Sequence, residues 1–156
     1  MLKKVKWVLV ALAVLFIALQ FVRPARTNPL VDESKTVQAN TQMTPQVNAI
    51  LERSCRDCHS NKTVWPWYTN VSPVSWFVAN HVEEGRRDMN FSEWAKYDRR
   101  RRDAYLDLIC DMVSKGMMPL SSYTRIHQQA KISTDDARAI CEWTEAERQR
   151  LRQTSL

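Results

Sequence analysis

The sequence predicts an all-α fold, on three observations. The chain holds only two glycines, Gly85 and Gly116, whereas sheet-rich folds need many tight turns and those turns usually need glycine. Apolar residues recur at helical spacing in several stretches. Thr44-Pro45, Ser72-Pro73 and Ser133-Thr134-Asp135-Asp136 stand where helices should begin, with a capping side chain ahead of proline or of an acidic first turn.

The first element is apolar. From Trp7 to Val22 the one polar residue is Gln20; Lys3, Lys4 and Lys6 precede the run, and Arg23 and Arg26 follow it. The pattern predicts a transmembrane helix and uncleaved signal anchor over residues 1–23, its flanking lysines snorkelling to the interface. Signal-peptide cleavage is the competing reading. It needs small residues before the cut, and Ala18 to Pro24 offers no Ala-x-Ala. The lysine excess places the N-terminus in the cytoplasm. The expectation is therefore a single-pass inner-membrane protein that meets lipid through this segment and carries the rest of the chain in the periplasm.

Residues 24–43 are polar, include Pro29 and show no helical period, so they read as a linker. A domain over residues 44–152 follows. Its first helix starts at Thr44-Pro45 and places Val47, Ile50, Leu51 and Ser54 on one face. Residues 61–70 form a loop rich in Trp and Pro. Ser72-Pro73 opens a second helix bearing Trp76, Phe77, Asn80, His81 and Glu84, and Phe91 to Trp94 makes one further turn. A third helix covers about 98–114, with Tyr105, Leu108, Ile109 and Met112 as its apolar face and Gly116 beyond its end. The last helix starts at Ser133 and turns Ala137, Ile140, Cys141 and Thr144 inward.

The net charge of +6 belongs to the N-terminal end. Beyond Arg26 basic and acidic residues nearly balance, which argues against nucleic acid as a partner. The run Arg99 to Arg102 is offset by Asp98, Asp103 and Asp107. It reads as a solvated face, with docking of an acidic redox partner as the sharper alternative. No Ser-His-Asp set, phosphate loop or acidic pair supports a hydrolase or transferase.

The chemistry-bearing motif is Cys55-Arg56-Asp57-Cys58-His59. Cys-x-x-Cys-His is the signature of covalent haem attachment. Thiols three residues apart share one side of a helix and can reach the two vinyl groups on one porphyrin edge. The motif predicts haem c, with Cys55 and Cys58 as thioether residues and His59 as proximal iron ligand. Two alternatives stay open: a thiol-redox pair, and half of a zinc site completed by Cys110 and Cys141. Met118, in the loop Lys115 to Leu120, is the candidate distal iron ligand, with Met117, His81 and His127 as rivals. Trp65, Trp67 and Trp76 are candidate packing residues for haem; Trp94 and Trp143 suit an ordinary core. Arg86 and Arg87 could meet haem propionates. Cys110 and Cys141 are either a disulfide or two buried thiols.

Several runs taken together resemble the bacterial haem-binding domain family. They are Cys55 to Asn61, Trp65-Pro66-Trp67-Tyr68, Val74-Ser75-Trp76, Asn80 to Arg86, Asn90 to Trp94, Met118 to Tyr123 and Ile126-His127. The resemblance also covers the exit from the apolar segment, Gln20 to Pro24. It implies a small cytochrome c-like helical domain behind an N-terminal transmembrane helix, with the family's Met-Pro falling on Met118-Pro119. The function expected is one-electron transfer with an unidentified redox partner protein. A haem-based sensor or peroxidase-like protein with an open sixth site is the alternative, and a zinc or thiol-redox module without haem is the alternative from another class.

Overall fold

The computed structural model describes residues 1–153, and the fold is all-α. Eight α-helices occur among these residues: α1 (Leu2–Leu19), α2 (Val37–Asn40), α3 (Pro45–Ser54), α4 (Arg56–His59), α5 (Val74–Asp88), α6 (Arg99–Ser114), α7 (Ser121–Thr124) and α8 (Thr134–Gln153). Short 3-10 turns lie between them at Glu33–Lys35, Trp67–Asn70, Phe91–Lys96 and Gln128–Ala130.

The starts of α3, α6 and α8 follow the capping chemistry, whereas at α5 Pro73 itself is the cap residue and the cap expected from Ser72 is not made. The Thr44 hydroxyl accepts from the Val47 amide ahead of Pro45, and the Asp98 carboxylate accepts from the Arg101 amide at 2.8 Å. At α8 the cap is reciprocal: Ser133 Oγ accepts from Asp136 N at 3.1 Å, and Asp136 Oδ2 accepts from Ser133 N at 3.0 Å. Each cap satisfies a backbone donor that the first turn leaves without a partner.

The core joins α3, α6 and α8 to the Phe91–Lys96 turn. Val47, Ile50 and Leu51 of α3 meet Leu106, Ile109 and Val113 of α6 and Ile140 and Trp143 of α8. Trp94, 1 % exposed, lies at the centre. Its ring meets Phe91, Tyr97 and Tyr105 at tilted or edge-on angles, which suit the aromatic quadrupole. The buried stripe of α6 is Leu106, Ile109 and Val113, whereas Leu108 is exposed. The face expected from Tyr105, Leu108, Ile109 and Met112 is thus rotated, because Trp94 and α8 take the side that Leu106 and Val113 occupy.

Cys110 and Cys141 are joined by a disulfide across the α6–α8 pair, with a Cα–Cα distance of 4.8 Å and a sequence separation of 31. Polar pairs border the same interface. Arg148 of α8 donates to Asp103 and Asp107 of α6 at 3.1 and 2.5 Å. The Glu147 carboxylate, 2 % exposed, accepts from the Gln42 amide and the Arg150 guanidinium. The Arg99–Arg102 run is largely engaged within the fold. Arg101 lies against the rings of Tyr97 and Tyr105, Arg102 donates to the Ala95 carbonyl, and Arg99 to the Leu151 carbonyl.

The N-terminal reading needs correction. Among the described residues no helix is long and apolar enough to cross a membrane. Three lysines occupy the first turns of α1, and the helix stops at Leu19, short of the Val22 at which the apolar run ends. There the Gln20 side chain exchanges hydrogen bonds with the Ser72 backbone, Nε2 to O at 3.2 Å and N to Oε1 at 2.9 Å. From Trp7 to Leu19 the helix is about 20 Å long at 1.5 Å per residue, against a hydrocarbon core of about 30 Å. The transmembrane helix, the lipid contact through it and the single-pass inner-membrane topology with a periplasmic domain are therefore withdrawn. What is observed is an apolar helix whose residues Leu2 to Ala18 are all exposed.

Residues 24–43 also differ from a free linker. Val37 is fully buried in the core, Thr36 caps α2, and Asn40 donates to the Ser34 and Thr36 carbonyls. Short polar elements like these carry too little periodicity to show in a sequence pattern.

Cutting the α6–α8 link tests its share of the stability. For a loop of 31 residues the chain-entropy relation gives roughly 3–4 kcal/mol. Cys141→Ser is expected to lose about that much in urea melts, with helical circular dichroism retained, and reductant should move the wild type by the same amount. Unmoved midpoints in both measurements would show that the link contributes nothing.

Candidate functional site

A cavity of about 520 Å³ opens between α4, α5, the 60–73 loop and the segment after α6. Its size falls within the roughly 300–1,000 Å³ of small-molecule and cofactor sites, and its wall is mostly apolar, as such sites are. α5 forms one side through Val74, Phe77, Val78, His81, Val82 and Gly85. Val64, Pro66 and Tyr68 of the loop form a second side, and Met118, Pro119, Leu120, Tyr123 and Ile126 a third. Cys55, Cys58 and His59 line the floor.

The floor is fixed by a close approach of backbones. At Gly85 a Cβ atom would stand 2.6 Å from the Cys58 carbonyl oxygen and 3.2 Å from the Cys58 Cβ. Only glycine lets α5 settle against α4 at that point. The contact brings the end of α5 over the His59 ring, whose Nδ1 lies 3.0 Å from the Gly85 carbonyl oxygen and 3.1 Å from that of Met89. Carbonyls only accept, so Nδ1 carries the proton and donates. Nε2 is then the basic nitrogen, on a residue of the cavity wall. A ring nitrogen held by backbone carbonyls while the other stays free is how histidine is oriented as a metal ligand.

Of the predicted site residues, the structure brings Cys55, Cys58, His59, His81 and Met118 to one cavity. Met117 lies outside it and is 55 % exposed. His127 stands behind the wall, its Nε2 2.6 Å from the Tyr68 hydroxyl. His81 packs on Phe77 with ring centroids 4.2 Å apart, and its Nδ1 is buried without a hydrogen bond, 3.8 Å from a Glu84 oxygen.

The three tryptophans are displaced from their expected role, since none lines the cavity. Trp65 Nε1 donates to the Asn28 side chain, Trp76 Nε1 donates to the Val22 carbonyl at 2.6 Å, and Trp67 is 78 % exposed. Their neighbours Pro66, Tyr68 and Phe77 take the wall positions instead. Arg86 is likewise committed elsewhere, donating to the Ser60 and Thr27 carbonyls, Asn28 Oδ1 and Thr63 Oγ1. Sequence reasoning missed Asp57, Tyr68 and Tyr123, which meet at the cavity edge. Asp57 had an available signal, as an acidic residue inside the motif.

The cofactor expectation is corrected as well. Cys55 and Cys58 stand as free thiols, and the bridged pair is Cys110 and Cys141. Burial pushes the Cys55 thiol up to about 12 and the Cys58 thiol up to about 11. Each stays protonated at neutral pH, away from the reactive thiolate. Among the described residues no group of three or more His, Cys, Asp or Glu side chains could hold a metal ion. Covalent haem c is withdrawn on these findings, and with it the c-type electron carrier at a membrane. The zinc module loses its ligand set and the thiol-redox module its activated thiol by the same observations.

Two predictions follow from the floor of the cavity. Gly85→Ala must separate α5 from α4, and its expected cost is roughly 1–3 kcal/mol, typical of overpacking; a melting curve identical to wild type would remove the close-approach argument. The thiols give a pH test. Their folded values lie above the unfolded thiol value of roughly 8.5, so the folded state binds more protons across that interval. Their contribution to stability is complete below about pH 8.5 and is lost as pH rises toward the folded values of about 11 and 12. Iodoacetamide at pH 8 should label Cys55 and Cys58 slowly in folded protein and quickly in urea. Equal rates in the two states would contradict the burial.

Comparison with known proteins places this geometry. No curated protein and no solved structure matches the chain. The model of the family described as "Haem-binding domain" matches residues 14–146, a span containing every cavity residue. The chain belongs to the haem-binding domain family.

Proposed function

We propose that the cavity binds haem, whose iron His59 Nε2 would hold. The observation that carries this reading is the pinned His59 ring, whose Nδ1–H is shared between the Gly85 and Met89 carbonyls at the floor of an apolar cavity. A porphyrin supplies four nitrogens to its iron, so one or two protein ligands complete the site. The flat apolar macrocycle suits walls made of Val, Phe, Pro and Leu.

Met118 is the second ligand in this reading. It lies on the wall formed by the segment after α6, while His59 belongs to the floor, and a thioether paired with imidazole is a common axial set of electron carriers. With two iron ligands that the chain would supply, the role that fits is a non-enzymatic electron carrier. When bound, the iron supplies the one-electron couple. The chain's own residues exclude water and hold the imidazole proton on Nδ1.

The test is titration of purified protein with haem, followed in the Soret region. Wild type should saturate at one equivalent. His59→Ala should lose at least tenfold in affinity, the low end of what loss of a metal-site partner costs. Met118→Ala should keep haem but change the spectrum and admit carbon monoxide in the reduced state. Equal affinity in wild type and His59→Ala would end this reading of the floor.

A further inference from the structure

The segment between α6 and α8 is the weakest-built wall of the cavity. Its longest helix is the four-residue α7, which contains no buried residue. Ala130 is buried and Ile132 packs against the core at its far end; nearer Met118 its side-chain ties to the rest of the molecule are polar, and two of them meet at one place. The Tyr123 hydroxyl donates to Asp57 Oδ2 at 2.9 Å, and the Tyr68 hydroxyl and His127 Nε2 share a hydrogen bond of 2.6 Å. The rings of Tyr123 and His127 stack with centroids 4.3 Å apart. Asp57 sits between the two cysteines of the motif, and its other oxygen accepts from the Val64 amide at 3.1 Å. One carboxylate thus joins the motif helix, the 60–73 loop and the segment that carries Met118. Burial and the Asp57 charge both raise the Tyr123 phenol, which keeps it a donor.

We propose that Asp57, Tyr123, Tyr68 and His127 form a clasp that fastens the Met118 wall over the cavity, and that they are the positioning residues for Met118. The proposal rests on the haem reading. It gives a task to a motif position that covalent-attachment spacing treats as filler. A phenol held by a carboxylate in a half-buried setting is a charge-assisted hydrogen bond, stronger than a neutral one. Losing it releases a stretch whose one helix, α7, contains no buried residue.

Two measurements test the clasp. Haem-loaded protein is titrated with imidazole, which competes for the position opposite His59. Tyr123→Phe and Tyr68→Phe should each bind imidazole about tenfold more tightly than wild type, the loss expected for a hydrogen bond to a charged or strongly polarised partner. Asp57→Asn, which keeps an acceptor oxygen, should move it far less than Asp57→Ala. In a Met118→Ala background, Tyr123→Phe should add nothing; the full tenfold gain there would overturn action through Met118. The second measurement needs no haem. Trypsin cleavage of the apoprotein after the exposed Arg125 should be several-fold faster in Tyr123→Phe, with the melting temperature of the core little changed. An unchanged cleavage rate overturns the clasp whether or not haem binds. A wild type that takes up no haem removes the haem reading, and the cleavage rate alone then decides whether the clasp exists. Should a Phe variant fail to fold, the Asp57→Asn and Asp57→Ala pair carries the same comparison.

Discussion

The approach of Gly85 to Cys58 is the contact on which the site depends. It sets the distance between α4 and α5, and with it the position of two carbonyls at the end of α5. The Gly85 carbonyl closes the last turn of α5 by accepting from the Met89 amide at 3.0 Å, and a carbonyl oxygen has a second lone pair to offer. The Gly85 and Met89 carbonyls share the Nδ1 proton of His59, which fixes its tautomer. A larger residue at position 85 would cost packing and also move the acceptors that orient the ring.

Around this floor, polar groups are sorted so that the cavity stays apolar. Arg86 follows Gly85 directly, yet its guanidinium turns away to four oxygens on the Thr27–Asn28 and Ser60–Thr63 segments. Desolvation lowers its pKa, and the oxygens offset that cost by accepting its protons. The buried Asn61, Asn90 and Ser92 satisfy one another under the same loop, with Asn90 Nδ2 to Asn61 Oδ1 at 2.8 Å and Asn61 N to Ser92 Oγ at 3.0 Å. The thiols of Cys55 and Cys58 are left in surroundings dry enough to raise both. This separation of a wet, hydrogen-bonded shell from a dry interior lets a small domain hold an open cavity with few unpaired polar groups lining it, His81 Nδ1 and Ser54 Oγ being the exceptions among the described residues.

The parts of this arrangement that were legible in the sequence are those written in local patterns. Caps at Thr44 and Ser133 mark helix starts because each satisfies amides within three residues. The buried face of α3 follows from spacing alone. The cavity floor was legible through its motif and Met118 through its neighbourhood. What failed depended on tertiary partners. The tryptophans were assigned by proximity in sequence to the motif, but an indole N–H seeks an acceptor, and acceptors come from Val22, at the end of the apolar segment, and Asn28, in the stretch read as a linker. The face of α6 was set by what Trp94 and α8 left available, and periodicity does not carry that. The length of α1 was misjudged because composition cannot show that Gln20 ends the helix by bonding to a backbone more than fifty residues away.

That segment after α1 bears on how the cavity wall stays in place. The 60–73 loop has only one 3-10 turn of its own, Trp67–Asn70, and loops of that kind are mobile unless tied down. Its ties come largely from residues 20–28: Gln20 to Ser72, Arg26 to the Thr69 carbonyl and Asn70 Oδ1, and Asn28 Nδ2 to the Thr63 carbonyl. The strap therefore holds from outside the same loop that carries Val64, Pro66 and Tyr68 on its cavity side. The family match begins at residue 14, ahead of the strap, so the strap lies within the family domain. The segment that looks most like a spacer in composition is in this way part of what supports the cavity, one layer removed, and it fixes where α1 leaves the domain relative to the cavity.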